Sequence, residues 1–211
     1  INTNRRVNII TIEDPIEVLH ADKESIVSQR EIGVDTNDYF EALRRALRQD
    51  PDVILIGEIR DAQTIRAAIQ AAETGHLVLS SMHTIDASET VNRMIDFFPL
   101  YQQKQVRLLL AGSLRGIISQ RLMEAADGGR VVAVEVLTMN GRVFDRIIDE
   151  NQTHTLEDVI RESEFYGMQT FDQAILELFK AGRVSLKTAL AHASNPHDFR
   201  VKIDQLGLVS A

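Results

Sequence analysis

Three stretches of this chain end in side chains able to do acid–base or metal chemistry, and each follows a run of apolar residues. The first is Thr11-Ile12-Glu13-Asp14-Pro15-Ile16-Glu17. The second is Gly57-Glu58-Ile59-Arg60-Asp61, and the third is Ser80-Ser81-Met82-His83-Thr84. Carboxylates can hold a hard divalent cation or polarise a water, and an imidazole can donate to an anion. A lone carboxylate after a core strand is more often a satisfied surface group. Three such ends in order point instead to a shared site.

The elements that must carry these ends are legible. Residues 7–13 are rich in β-branched side chains and read as a buried strand ending in acids. Val53–Ile56 is a short apolar run between the turn signals Asp50-Pro51 and Gly57, the pattern of a strand covered on both faces in a parallel sheet. Leu77–Ser81 reads the same way. Between them, Thr36–Asp38 caps a helix whose apolar stripe is Phe40, Leu43, Ala46 and Leu47, and Pro51 stops it. A second helix starts at Asp61 as N-cap, runs through Ile65, Ala68, Ile69 and Ala72, and closes at Gly75. In a parallel sheet all strand C-termini share one edge, where open α/β sheets bind ligands, so Glu13, Glu58 and His83 converge on one crevice.

Elsewhere, residues 25–32 predict a short, edge-like strand interrupted by Gln29, Arg30 and Glu31. Helices are predicted over 87–97 and 101–114. Residues 113–124 fit either helix or strand, and Arg130–Thr138 reads as a strand after the Asp127-Gly128-Gly129 turn. From Gly141 the pattern is helical: 142–149, 155–163, 170–181, 185–193 and 196–206. The fold class expected is therefore α/β, with a parallel-sheet core over residues 1–140 and a small all-helical domain over 141–211.

Composition narrows the function. The 211 residues are 44% hydrophobic and 26% charged, ordinary for a globular protein. The formal charge of −8 argues against a broad nucleic-acid-binding face. There is no cysteine, which excludes disulfides and thiolate metal sites. No run of eighteen apolar residues occurs, so no membrane insertion is expected. A strand pattern that starts almost at Ile1 reads as part of a longer protein.

The three stretches resemble the Asp box (TIEDPIE), the Walker B element (ILIGEIRD) and the His box (GHLVLSSMHT) of the secretion ATPases that drive type II secretion and type IV pili. Ala42-Leu43-Arg44-Arg45-Ala46-Leu47-Arg48-Gln49-Asp50-Pro51-Asp52 is similar to the same superfamily. Val27-Ser28-Gln29-Arg30-Glu31, Gly167-Met168-Gln169-Thr170-Phe171-Asp172 and Ser194-Asn195-Pro196-His197-Asp198-Phe199-Arg200 resemble the PilT-like branch of pilus retraction motors. The lack of a four-cysteine zinc insertion, common in assembly motors and type II secretion ATPases, agrees with that branch. The stretch Arg142–Glu150 keeps the apolar spacing of a helix motif of these motors but alters its polar face, which leaves room for an accessory PilT-like paralogue.

The resemblance implies a RecA-like core in a hexameric motor that couples hydrolysis of ATP with Mg²⁺ to pilus retraction. It also implies a cytoplasmic location against an inner-membrane platform protein. Glu13 would position or activate the attacking water, Glu58 would act at Mg²⁺ directly or through water, and His83 would sense the γ-phosphate. Asp14, Arg60 and Thr84 would line the ATP–Mg crevice, with Arg60 also an ion-pair partner for its acids. Arg30, Arg44, Arg45 and Arg48 are candidates for an arginine supplied to a neighbouring subunit. His76 precedes its strand at the far edge of the sheet and reads as structural.

No Gly-x-x-x-x-Gly-Lys-Ser/Thr loop occurs in the chain. Each charge-assisted hydrogen bond to phosphate contributes about 1.5–3 kcal/mol. At about 1.4 kcal/mol per tenfold, losing several weakens ATP binding by at least about a thousandfold. The chain alone is thus expected to be inactive, half of a site, and monomeric or weakly associated. The alternatives are a type II secretion or pilus assembly ATPase, or a non-catalytic subunit without a P-loop that binds or regulates a motor ring.

Overall fold

A computed structural model describes residues 1–208 of the chain. The chain divides into two compact units, one of Ile1–His83 with Met94–Ser113, the other of Thr84–Arg93 with the chain from Leu114 onward. This division differs from the one expected near residue 140, because the last two strands pack with the helices that follow them.

The first unit is built on four parallel strands in the order β2-β1-β3-β4: β1 (Asn8–Glu13), β2 (Ile26–Glu31), β3 (Val53–Ile56) and β4 (Leu77–Ser80). Helix α1 (Tyr39–Ala46) connects β2 to β3, and α2 (Ala62–Glu73) connects β3 to β4. The apolar runs read from sequence fill the core: Ile10, Ile12, Ile54 and Ile56 of the sheet are buried, as are Leu43 of α1 and Ile65 and Ile69 of α2. Phe40, expected on the buried stripe of α1, is exposed, and Ala42 is buried in its place.

The helix starts are fixed by the residues expected. Asp38 accepts the Glu41 N–H at 2.7 Å, and Asp61 accepts both the N–H and the hydroxyl of Thr64 at 2.8 Å. Helix α3 (Ala87–Asp96) and α4 (Leu100–Ser113) follow, and α4 buries Val106, Leu110 and Ala111.

The edge at β2 is blunted by carboxylates. Outward-facing N–H groups of Val27 and Glu31 donate to Asp22 Oδ1 at 2.8 Å and Asp35 Oδ2 at 2.9 Å, which removes donors that another strand would need. The opposite edge, β4, is paired on one side only and exposes Leu77 and Leu79.

The second unit pairs β5 (Gly116–Glu124) with β6 (Arg130–Thr138) as an antiparallel hairpin. The ambiguous stretch 113–124 is thus a strand from Gly116. A Cβ on Gly116 would sit 2.8 Å from the Leu137 carbonyl oxygen, so the pairing there requires glycine. Helices α5 (Gly141–Ile148), α6 (Leu156–Arg161), α7 (Phe171–Lys180), α8 (Leu186–His192) and α9 (Pro196–Gln205) complete the unit. Met123 and Ala133 of the hairpin share a core with Phe171, Ile175, Ala189, Phe199 and Ile203. Thr170 and Gln173 form a reciprocal capping box at the start of α7. No helix among the described residues is long and apolar enough to cross a membrane.

One carboxylate is buried in this unit. Glu135 of β6 is 4% exposed and accepts the Ala87 N–H at 2.8 Å and the Ser119 hydroxyl at 3.3 Å. Burial, with Asp86 adding to it and the two hydrogen bonds and Arg121 opposing it, raises Glu135 above its ordinary value of 4.5. The folded state then holds this proton more tightly than the unfolded chain. Its contribution to stability is full below about pH 4.5 and is lost as pH rises from there through the raised folded value. Glu135→Gln keeps an acceptor for Ala87 and is expected to flatten that fall, measured by denaturant unfolding between about pH 4 and pH 8.

Gly57 follows β3 where backbones meet closely. A Cβ there would lie 3.3 Å from Glu13 Cα and from the Ile12 carbonyl oxygen, and 3.4 Å from the Tyr39 hydroxyl. Gly57→Ala is expected to push the end of β1 aside and cost about 1–3 kcal/mol, read by the same unfolding curves.

Candidate functional site

The four parallel strands deliver their C-terminal ends to one edge, and the loops there are an extension of the sheet. Gly57 N–H donates to the Ile12 carbonyl at 2.7 Å, Ile32 N–H to Glu13 at 2.9 Å, and Ile59 N–H to Ser81 at 3.1 Å. The Ser81 hydroxyl donates to the Gly57 carbonyl at 2.6 Å. Side chains emerging from these residues are therefore placed by backbone bonding rather than by loose turns.

Glu58 is the hub. Its side chain is 18% exposed, and its Oε2 accepts from Arg60 at 2.8 Å while its Oε1 lies 3.3 Å from His83 Nε2. Arg60 reaches across to Asp14 Oδ2 at 3.3 Å, so it bridges the ends of β1 and β3. The guanidinium is raised above its ordinary value, first by its hydrogen bond to Glu58 and then by the charges of Glu58 and Asp14. Arg60 and His83 are 56% and 84% exposed, so these two contacts of Glu58 are screened by solvent.

Glu13 stands apart from that ion-pair chain. Its Oε1 accepts the Thr11 hydroxyl at 2.6 Å and the Gln29 amide at 3.0 Å. Asp14 and Pro15 are joined by a cis peptide bond.

Sequence reasoning missed Tyr39, the first residue of α1. Its hydroxyl lies against Gly57. Burial, with the negative field of Asp14, Glu58 and Glu13 opposed by Arg60, raises the phenol above its ordinary value of 10.0. It therefore stays protonated and able to donate. An apolar-looking residue at a helix start gave no signal of this, because its aim is set by tertiary packing. Gln29 was missed as well, read only as a polar interruption of an edge strand.

The structure brings together Asp14, Glu58, Arg60 and His83, with Glu13 on the same edge. Thr84 belongs to the second unit, where its hydroxyl is 2.6 Å from that of Thr90. Arg44, Arg45 and Arg48 are exposed on or just beyond α1, with Arg45 paired to Glu41 at 2.5 Å. Arg30 of β2 donates to the Gln29 carbonyl at 3.3 Å and lies in register with Ile12. By the alternation of the pleat it faces the side of the sheet opposite to Glu13 and Gln29. His76 is held by the Ala71 carbonyl at 2.9 Å and Thr74 at 3.1 Å, a structural role.

Among the described residues no group of three or more His, Asp or Glu side chains gathers as a metal cage. The donors fit Mg²⁺ in another way. Glu58 and Asp14 offer hard oxygens at one edge, and Mg²⁺ is commonly held by one or two carboxylates together with waters and substrate phosphates.

Comparisons with known proteins show which family the chain belongs to. The family model for the type II/IV secretion system protein matches residues 1–191. The chain is 42% identical over 203 residues to the type IV pilus ATPase PilU of Pseudomonas aeruginosa, covering 96% of this chain and 53% of that protein. It is 42% identical over 199 residues to the type IV pilus retraction ATPase PilT of the same organism, covering 94% and 58%. A crystal structure of the pilus retraction motor PilT with bound ADP superposes with a TM-score of 0.84 at 45% identity, over 93% of this chain and 55% of that one. The chain thus spans a little over half the length of these relatives. With most of its residues matched in sequence and in fold, and with the acid-lined sheet edge in place, the chain belongs to the type II/IV secretion ATPase family.

Proposed function

We propose that this chain is the crevice-bearing part of a PilT-like motor ATPase, one that couples hydrolysis of ATP to movement of a type IV pilus as a hexameric ring. The observation that carries the reading is the Glu58 hub. A carboxylate at the end of a central strand is shared between Arg60 and His83 and linked through Arg60 to Asp14. Support comes also from the names of the relatives, a retraction ATPase and a pilus ATPase.

In this reading a water is oriented by Glu13 for in-line attack on the γ-phosphate, and its proton passes toward the Glu13 carboxylate. Glu58 would hold the metal, directly or through water, with Asp14 beside it. When bound, Mg²⁺ neutralises charge on the phosphate oxygens. His83 donates to the γ-phosphate, and Tyr39 is a neutral donor on the same edge. An arginine from a neighbouring subunit, drawn from Arg30, Arg44, Arg45 or Arg48, completes the charge balance. Arg45 suits this least, since it is already paired to Glu41 at 2.5 Å.

The phosphate-cradling loop is not among these 211 residues. Such a loop follows a strand and opens a helix, and the open side of β4, beside the His83 end of the sheet, is where that strand would add. The ring docks from the cytoplasm onto a membrane platform protein. A second reading, an accessory PilT-like paralogue rather than the retraction motor itself, rests on the altered polar face of Arg142–Glu150, and the 42% identity to both PilU and PilT does not separate the two.

Two measurements test the proposal. The 211-residue chain alone is expected to bind ATP at least about a thousandfold more weakly than the full-length protein that carries it, by titration of a fluorescent ATP analogue. In the full-length protein, Glu13→Gln is expected to lower kcat by about 10²–10⁴-fold. A full-length protein that does not hydrolyse MgATP would sink the reading.

A further inference from the structure

The register of β1 on β2 places Thr11 directly beside Gln29. Side chains alternate along a strand, so Thr11, Gln29 and Glu13 share one face of the sheet, with Glu13 two residues beyond Thr11. Both neighbours spend a donor on the same atom, Glu13 Oε1. We propose that Thr11 and Gln29 are positioning residues for Glu13: they fix the carboxylate plane through Oε1 and leave Oε2 to accept from the reacting water. The inference rests on the assignment of Glu13 as the water-orienting carboxylate.

Three observations favour positioning over incidental bonding. Thr11 is 2% exposed, so its hydroxyl has no solvent alternative. Gln29 is itself fixed at both ends of its amide: Nε2 donates also to the Val18 carbonyl at 3.0 Å, and Oε1 accepts the His20 N–H at 2.8 Å. The third is charge. No cation lies within 4 Å of Glu13 among the described residues, whereas Glu58 and Asp14 are both paired. Neutral donors orient a carboxylate and leave its negative charge available, while an ion pair would compete for the lone pairs the water needs. The alternative is that Glu13 merely satisfies a buried hydroxyl, and it predicts a loss of stability without a specific loss of rate.

The test uses the full-length protein and MgATP. Thr11→Val is isosteric and removes one donor, and Gln29→Met removes the other at similar length. Each is expected to lower kcat by about tenfold to a hundredfold with KM within about twofold, the scale of a misaligned catalytic group. Thr11→Ser, which keeps the hydroxyl, restores most of the rate. In a Glu13→Gln background neither substitution lowers kcat further, because residues that act through one carboxylate are not additive. A lowered melting temperature with kcat unchanged overturns the proposal, and so does an equal loss of kcat in the Glu13→Gln background. If Glu13→Gln alone keeps the wild-type rate, the assignment of Glu13 fails and the positioning role falls with it. That result is distinct from an active Glu13 that is indifferent to Thr11 and Gln29.

Discussion

Parallel pairing of β1 with β3 is the constraint from which the rest of the site follows. Ile12 lies opposite Ile56 on one side and Arg30 on the other, and the ladder continues past the strand ends through the Gly57 N–H. A slip of one residue would turn every side chain of β1 to the other face, taking Glu13 away from Gln29 and Asp14 away from Arg60. The slip is opposed by the core itself, since the fully buried Ile12 would have to give its place to Thr11 or Glu13. Hydrophobic burial therefore sets the geometry of the acids, and Gly57 permits the close approach that a side chain would prevent.

That geometry gathers negative charge. Glu13, Asp14 and Glu58 share an edge with Arg60, and the Tyr39 phenol there is raised first by burial and then by the charges of these acids. Such an edge by itself repels a polyphosphate. A bound Mg²⁺ would offset that charge, its ordinary role in phosphoryl transfer. The exposed positions of Arg60 and His83 matter here. Their hold on Glu58 is solvent-screened and reversible, so the carboxylate is ordered without being locked.

Much of this was legible because burial writes a strong pattern. Apolar runs of four to six residues bounded by Pro51, Gly57 and Gly75 gave the strands, and Asp38 and Asp61 gave the helix starts. The parallel class then placed Glu13, Glu58 and His83 on one edge. What was not legible depends on pairing between distant segments. Gln29 meets Glu13 only through the register of β2, and Tyr39 meets Gly57 only through the packing of α1. Residues 113–124 were ambiguous because Ile118 and Leu122 face outward at 68% and 59% exposure, which blurs the period-two pattern. Glu135 was hidden in the same way, a charge inside an apolar strand whose partner, Ala87, lies 48 residues away. The unit boundary moved for a related reason: a hairpin reads as part of a sheet until its partners are known.

The two carboxylates that anchor the proposed mechanism differ in what holds them. Glu58 meets the exposed Arg60 guanidinium and His83 imidazole, and Glu13 meets two neutral donors, one of them buried. Exposed, screened contacts hold a carboxylate weakly, which suits the metal-ordering role proposed for Glu58. Neutral donors orient the carboxylate through Oε1 and add no charge of their own, which suits the water-orienting role proposed for Glu13. Environment, rather than residue type, separates the tasks of paired carboxylates in a shared crevice. Here the separation is built by the pleat: Thr11 and Gln29 stand in one row across β1 and β2, while Arg60 emerges beyond β3.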